Sequence, residues 1–351
     1  SNMAFICADA GLNHKEIYVV ISHLAQRWEK FKHHTQSSRA RQLIGIIEHA
    51  RIKYPNNAFS VLDTIFEYSP IALLNTDIEL DWAIPDMLMS NGVMLMGGPS
   101  GIGKSQLSMQ FQAHLAMGAP FLGYAIEKPQ KVGFFSLEMG DMEVKHLLQS
   151  MYPDWSVRFT KEQIELLNEN WKIIPFGESL PLNASMGQDI FVNYLENNPD
   201  WKGVFVDSVG SAIIGNINDM GTVQPFTNFN DKIRKRYGIF LWYIHHFRKP
   251  PPGTKSFGGQ EDMYGDQYLT ARATSVYTLT KGKGDSLRLK NPKNRHAKEQ
   301  EPQLIQRVDG LYFEHLGTED EEVSTLDKVI EQVYKKGDPS TDQTPKPFGS
   351  L

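Results

Sequence analysis

Gly98-Pro99-Ser100-Gly101-Ile102-Gly103-Lys104-Ser105 fits the pattern G-x-x-x-x-G-K-[ST] at every position. Glycines at these spacings let successive backbone N–H groups turn inward around phosphate oxygens, at the positive end of a following helix. Lys104 can then reach the β and γ phosphates, and the Ser105 hydroxyl can ligate Mg²⁺. The flanks supply the context this chemistry needs. Val93-Met94-Leu95-Met96 is apolar and strand-like, and Gln106 to Met117 is glycine-free and helix-forming. Residues Gly98 to Gln106 are therefore expected to bind a nucleoside triphosphate.

Two further strands end on acids. Lys131 to Ser136 runs into Leu137-Glu138-Met139, and Val204-Phe205-Val206 runs into Asp207-Ser208. Open α/β sheets place ligands outside the carboxyl ends of their strands, so both acids are expected beside the nucleotide. Glu138 could orient and activate the water that attacks the γ-phosphate. The alternative is a helix-capping acid at the Gly140-Asp141-Met142 turn. Asp207 reads as the Mg²⁺-associated acid of a Walker B strand.

A third strand, Ile239 to Ile244, leads into His245-His246-Phe247-Arg248-Lys249. No third or fourth ligand lies near the histidines in sequence, which argues against a structural metal site. One of them could instead sense the γ-phosphate. The loop that follows, 250–265, is rich in Pro and Gly and carries Lys255 and Phe257. It is long for a mere connection. With Arg248 and Lys249 it suits a nucleic-acid backbone, the alternative being an ordinary surface loop. Between Lys281 and Lys298 seven Lys/Arg stand against one acid, Asp285. This run reads either as a solvated basic face or as a functional patch. Within it, Arg295 of Lys293-Asn294-Arg295 could contact phosphate, or could stabilise transition-state charge in a neighbouring subunit's site.

The elements that must carry these residues follow from periodicity. Strands are expected at 93–96, 131–136, 171–175, 203–207, 238–244, 275–280, 285–290, 303–307 and 311–314. Helices are expected at 104–117, 142–151, 187–197 and 224–237. Their alternation gives a mainly parallel sheet covered on both faces, and the closely spaced later strands extend it as antiparallel hairpins. Residues 1–80 read as a helical region and linker, with apolar stripes at Ile17, Val20, Ile21, Leu24, Trp28, Phe31 and at Leu43, Ile46, Ile47, Ala50, Tyr54. Residues 81–318 form the α/β domain. Residues 319–351 hold an amphipathic helix (Leu326, Val329, Ile330, Val333) and a polar tail expected to be disordered.

The chain has 351 residues and a formal net charge of −5, so any nucleic-acid contact must come from local basic patches. It has one cysteine, Cys7, and no signal peptide or apolar run near membrane-span length, so a cytoplasmic protein without disulfides is expected. The sequon Asn183-Ala184-Ser185 carries no weight without a secretory signal, and Ser1-Asn2 ahead of Met3 looks like a protease-cleavage scar.

In order, these pieces resemble the RecA-like ATPase core of hexameric replicative helicases, the DnaB and plasmid RepA group, over roughly residues 80–316. The phosphate loop is shared by many NTPases. More specific are Phe135-Ser136-Leu137-Glu138-Met139, the strand ending at Asp207, His245-His246 with Lys249, and Lys293-Asn294-Arg295. Leu115 to Gly123 is similar to the RepA branch. The resemblance implies Glu138 as catalytic carboxylate and Asp207 with Ser105 at Mg²⁺. It implies His246 or His245 as γ-phosphate sensor, and Lys293 and Arg295 acting across a subunit interface. It also implies ATP as nucleotide, a hexameric ring, single-stranded DNA as partner, and an ATP-driven helicase in DNA replication. Where many relatives carry Gly-Ser, this chain has Gly265-Asp266. The first 70 residues faintly resemble the segment after a primase domain in primase-helicases. The alternatives are a non-motor RecA-like ATPase, such as a DNA-binding, loading or recombination factor, and a nucleotide-switched assembly protein.

Overall fold

The computed structural model describes residues 69–76, 80–248, 258–298, 300–308 and 311–319. A short helix α1 (Pro70–Leu74) precedes a small hairpin of β1 (Trp82–Ile84) and β2 (Leu88–Met89). The main domain follows: β3 (Val93–Gly98), α2 (Lys104–Met117), β4 (Val132–Ser136), α3 (Asp141–Met151), α4 (Lys161–Asn170), β5 (Trp171–Pro175), α5 (Ser185–Asn197), β6 (Gly203–Asp207), α6 (Met220–Tyr237) and β7 (Phe240–His246). It closes with α7 (Gln267–Arg272), β8 (Ser275–Lys281), β9 (Ser286–Asn294), β10 (Gln303–Val308) and β11 (Tyr312–Thr318).

Nine strands form one sheet in the order β11-β10-β9-β8-β3-β7-β6-β4-β5. The six from β8 to β5 are parallel, and β8 to β11 turn back on one another as an antiparallel meander. The strand burial explains why. Met94, Met96, Phe134, Phe205, Phe240, Trp242 and Ile244 enter the core on one face. Their neighbours Val93, Leu95, Phe135, Val204, Val206, Leu241 and Tyr243 enter the core on the other. Apolar residues at every position, with a side-chain period of two, demand cover on both faces. Helices α2, α3 and α4 pack on the first face, and α5, α6 and α7 on the second. β7 lies between β3 and β6, so a strand separates the phosphate loop from the Asp207 strand in the RecA-like manner.

The expected strands are all present, with ends shifted by a few residues. Helices α1, α4 and α7 and the β1–β2 hairpin are not among the expected elements. Thr160 and Gln163 form a capping box for α4, a start signal that the sequence did carry. The hairpin spans only a few residues, too few for its alternation to register. The expected helices within residues 1–68 and after Glu319 lie outside the described residues.

Candidate functional site

The last residue of β3 is Gly98, and the loop after it wraps to the amino end of α2. Gly101 and Gly103 take φ of +73° and +107°, conformations that favour glycine. Helix α2 is buried nearly all round, which fixes the loop's far end in the core. Lys104, 5% exposed, donates from Nζ to the Gly98 carbonyl at 3.0 Å and the Pro99 carbonyl at 2.8 Å. Burial lowers its pKa, while Asp207 and Glu138 oppose that shift.

Asp207, at the end of β6 and 2% exposed, accepts from the Ser105 hydroxyl at 2.5 Å through Oδ2. Burial pushes this carboxyl up to about 6, against the Ser105 hydrogen bond. The carbonyl of Asp207 accepts from the backbone N–H groups of both Leu137 (2.8 Å) and Glu138 (3.2 Å), locking the end of β4 to the end of β6. Glu138 is thereby held beside Asp207. Its Oε1 accepts a hydrogen bond from the Ser208 hydroxyl and lies 3.5 Å from His246 Nε2. The His246 imidazole foremost, then Ser208, hold its carboxyl below the usual range, against the effect of partial burial. The capping alternative for this acid does not hold: Glu143 reaches back to the Gly140 N–H at 2.8 Å, so α3 is capped by its own first turn.

The two histidines, adjacent in sequence, point to opposite faces of the sheet. His246 faces Glu138. His245 is buried on the other face, bonded through Nε2 to the Tyr264 carbonyl at 2.5 Å. Burial drops its pKa to about 4, so it stays neutral, and its Nδ1 has no hydrogen-bond partner. Four adjacent carboxyl ends, in the order β4, β6, β7 and β3, thus converge with Glu138, Asp207, His246 and the phosphate loop. The glycine-lined loop, the buried ammonium of Lys104 and the Ser105–Asp207 pair fit a nucleotide polyphosphate with a bound Mg²⁺. Such an ion takes few protein ligands and completes its shell with phosphate and water. Among the described residues no cluster of three or more metal-ligating side chains exists.

Other expected residues lie elsewhere. Lys293 and Asn294 are inside β9, longer than expected because Asn291-Pro292 falls at an irregularity in the β8–β9 pairing rather than ending the strand. Asn294 pairs with Ser275, which pairs with Met94 on β3, four residues before Gly98. That places Lys293 and Arg295 about 13 Å down the strands from the phosphate loop, at the opposite end of the sheet. Lys293 donates to the Thr270 carbonyl at 2.5 Å and the Ala271 carbonyl at 3.1 Å. Arg295 bonds the Ala271 carbonyl as well. Burial and the neighbouring Arg295 lower Lys293 to about 8. The basic run is divided rather than one patch: the turn after Lys281 stands at the phosphate-loop end. Arg248 donates to the Met263 carbonyl at 3.2 Å and so braces the returning arm of its own loop. Lys249 and Lys255 lie outside the described residues. Asp266 caps α7 by accepting from the Tyr268 N–H at 2.7 Å.

Two residues at the site escaped sequence reasoning. Ser208 could have been suspected because it follows Asp207 directly. Arg307, whose Nη2 donates to the Ile102 carbonyl at 2.9 Å, could not: it lies over two hundred residues from the loop it touches.

A buried lysine in a glycine-rich loop, with acids on neighbouring strand ends, defines a P-loop ATPase domain. Residues 66–252, more than half of the chain, match the AAA domain family, and the chain belongs to it. A solved ATPase domain is similar with a TM-score of 0.48 at 11% identity, covering 66% of this chain and 86% of that one. No curated protein matches the chain. No helix among the described residues is long and apolar enough to cross a membrane.

Proposed function

We propose that this protein is an ATP-driven helicase or translocase that works as a ring on single-stranded DNA during replication. The observation that carries the reading is the convergence of Lys104, Ser105–Asp207 and Glu138–His246 on one end of the sheet. In it the Gly98–Gln106 loop and Lys104 hold the polyphosphate of ATP, Ser105 and Asp207 hold Mg²⁺, and Glu138 orients the attacking water. His246, rather than His245, senses the γ-phosphate through its contact with Glu138. Lys293 and Arg295 sit too far from their own site to serve it. Their role is assigned to a neighbouring subunit's site, which requires a homo-oligomer, a hexamer on the family resemblance. DNA contacts are assigned to Lys249 and Lys255, with Arg248 bracing the loop that carries them. The proposed domain limits are 1–80, 81–318 and 319–351, with a primase as a further partner.

The test is steady-state ATP hydrolysis with and without single-stranded DNA, across salt, for wild type and Glu138→Gln. Stimulation by DNA that weakens steeply with salt and vanishes in the variant is expected. Hydrolysis indifferent to DNA would sink the motor reading and leave a RecA-like ATPase with another partner.

A further inference from the structure

Arg307 is on β10 and faces Phe313 on β11, its cross-strand partner, with the guanidinium carbon 5.4 Å from the ring centroid. Phe313 is buried, and its backbone is tied to the phosphate-loop helix in both directions. Gln110 Nε2 donates to the Phe313 carbonyl, and the Phe313 N–H donates to Gln110 Oε1, each at 2.8 Å. The meander that ends the sheet is thereby fastened to α2, and Arg307 is carried to the back of the loop. There its Nη2 donates to the Ile102 carbonyl at 2.9 Å. A Cβ on Gly103 would collide with that same Nη2 and would come within 2.9 Å of the Phe313 ring. The loop's third glycine is required by its φ of +107°, and a side chain there would push the Arg307 guanidinium away from Ile102.

We infer that Arg307 is a positioning residue for nucleotide binding, holding the phosphate loop in its binding shape through the Ile102 carbonyl. The physical reason is local. A loop whose N–H groups point inward at an anion must turn carbonyls outward. Without a partner those carbonyls are free to rotate back and take the N–H groups with them. A charged donor on the Ile102 carbonyl opposes that rotation and adds positive charge behind the cradle. Preorganisation of this kind appears as ligand affinity, because the loop no longer has to be ordered when the ligand arrives.

This inference rests on the nucleotide reading above, and the experiment separates the two. Mg-ADP affinity is measured by calorimetry for the full chain as wild type, Arg307→Ala, Arg307→Lys and Lys104→Ala, with melting temperature without nucleotide for each. Arg307→Ala should bind Mg-ADP about tenfold more weakly, the scale of one hydrogen bond to a charged group. Its kcat at saturating ATP should be near wild type, and Arg307→Lys should recover most of the loss. Wild-type affinity in Arg307→Ala alongside lost binding in Lys104→Ala would overturn the inference alone. A melting temperature that falls in both Arg307 variants, with no recovery by lysine, would also overturn it in favour of a purely structural brace. Undiminished binding in Lys104→Ala would overturn the nucleotide reading, and this inference with it.

Discussion

The two ends of the parallel sheet use charge in opposite ways. At the carboxyl end, acids and an ammonium from four adjacent strand termini face one another within a single chain: Lys104, Asp207, Glu138 and His246. At the amino end, Lys293 and Arg295 rest on the Thr270 and Ala271 carbonyls in the last turn of α7, where a helix terminus favours cations. On the proposed reading the first set holds the nucleotide and orients the water but still needs an arginine from a neighbouring subunit for full turnover. Among the described residues the second set rests on neutral carbonyls, which on the same reading it gives up for an anionic partner in a neighbouring subunit. On that reading one end carries the chemistry and the other supplies charge to a neighbouring subunit.

The largest effect should come from breaking that delivery. Arg295→Ala is expected to lower kcat by about 10³–10⁵ while sparing nucleotide affinity, the range for an arginine finger. A mixing experiment makes the comparison sharper. Arg295→Ala and Glu138→Gln subunits, each inactive alone, should regain activity when co-assembled, because some interfaces then pair an intact carboxylate with an intact arginine. Wild-type turnover in Arg295→Ala, or no recovery on mixing, refutes delivery across an interface.

Next in size is the chemistry within the chain. Glu138→Gln should lose about 10²–10⁴ in kcat, the contribution of a positioned general base, with ATP binding retained. A loss confined to KM would instead make Glu138 a binding residue.

The carboxyl end was legible in the sequence because each functional side chain sits at the end of an apolar strand. Strand, loop and acid are contiguous there, and the parallel topology brings such ends together without further information. The choice between His245 and His246 was not legible, because adjacent strand residues face opposite ways and only the sheet's neighbours decide which face meets Glu138. Nor was the position of Lys293. Asn291-Pro292 reads as a strand end, yet pairing with β8 carries the strand through an irregularity there. Arg307 lay furthest from reach, since only the register of β10 with β11 and the Gln110 tie bring it to Ile102.

Asp207 offers a test through stability rather than turnover. Its folded pKa, raised to about 6 by burial, exceeds the unfolded value near 3.8. The folded chain therefore binds the extra proton between those values, and this group's contribution to stability falls as pH rises from about 4 to 6. At neutral pH the buried carboxylate costs about 3 kcal/mol without Mg²⁺. Asp207→Asn should melt at a higher temperature than wild type at pH 7 without nucleotide, although it should lose Mg²⁺-dependent hydrolysis. The gap should close as pH falls to 4. His114 and His245, both lowered to about 4 by burial, act in the reverse sense, since they lose stability as pH falls through 6.5 to 4. They contribute equally to both proteins and cancel in the difference. An Asn variant less stable than wild type at pH 7 would show the ionised carboxylate to be compensated in place.

The smallest expected effect bears on how the carboxyl end is held together. Ser208 donates to Glu138 Oε1 while His246 stands on the same oxygen, and both contacts hold the carboxyl low. Ser208→Ala removes one of them and leaves the backbone ties from Leu137 and Glu138 to Asp207 intact. Glu138 is about two-fifths exposed at its side chain, so solvent screens part of the loss, and about 1 kcal/mol remains from a hydrogen bond to a charged group. That predicts a kcat near fivefold lower, with the acid limb of the pH–rate profile displaced upward, because the carboxylate now takes a proton at higher pH. A uniform loss of rate with an unmoved acid limb would mean that Ser208 orders the strand end without touching the ionisation of Glu138. The displacement of the limb is the result that distinguishes the two, since it reports the proton on Glu138 itself.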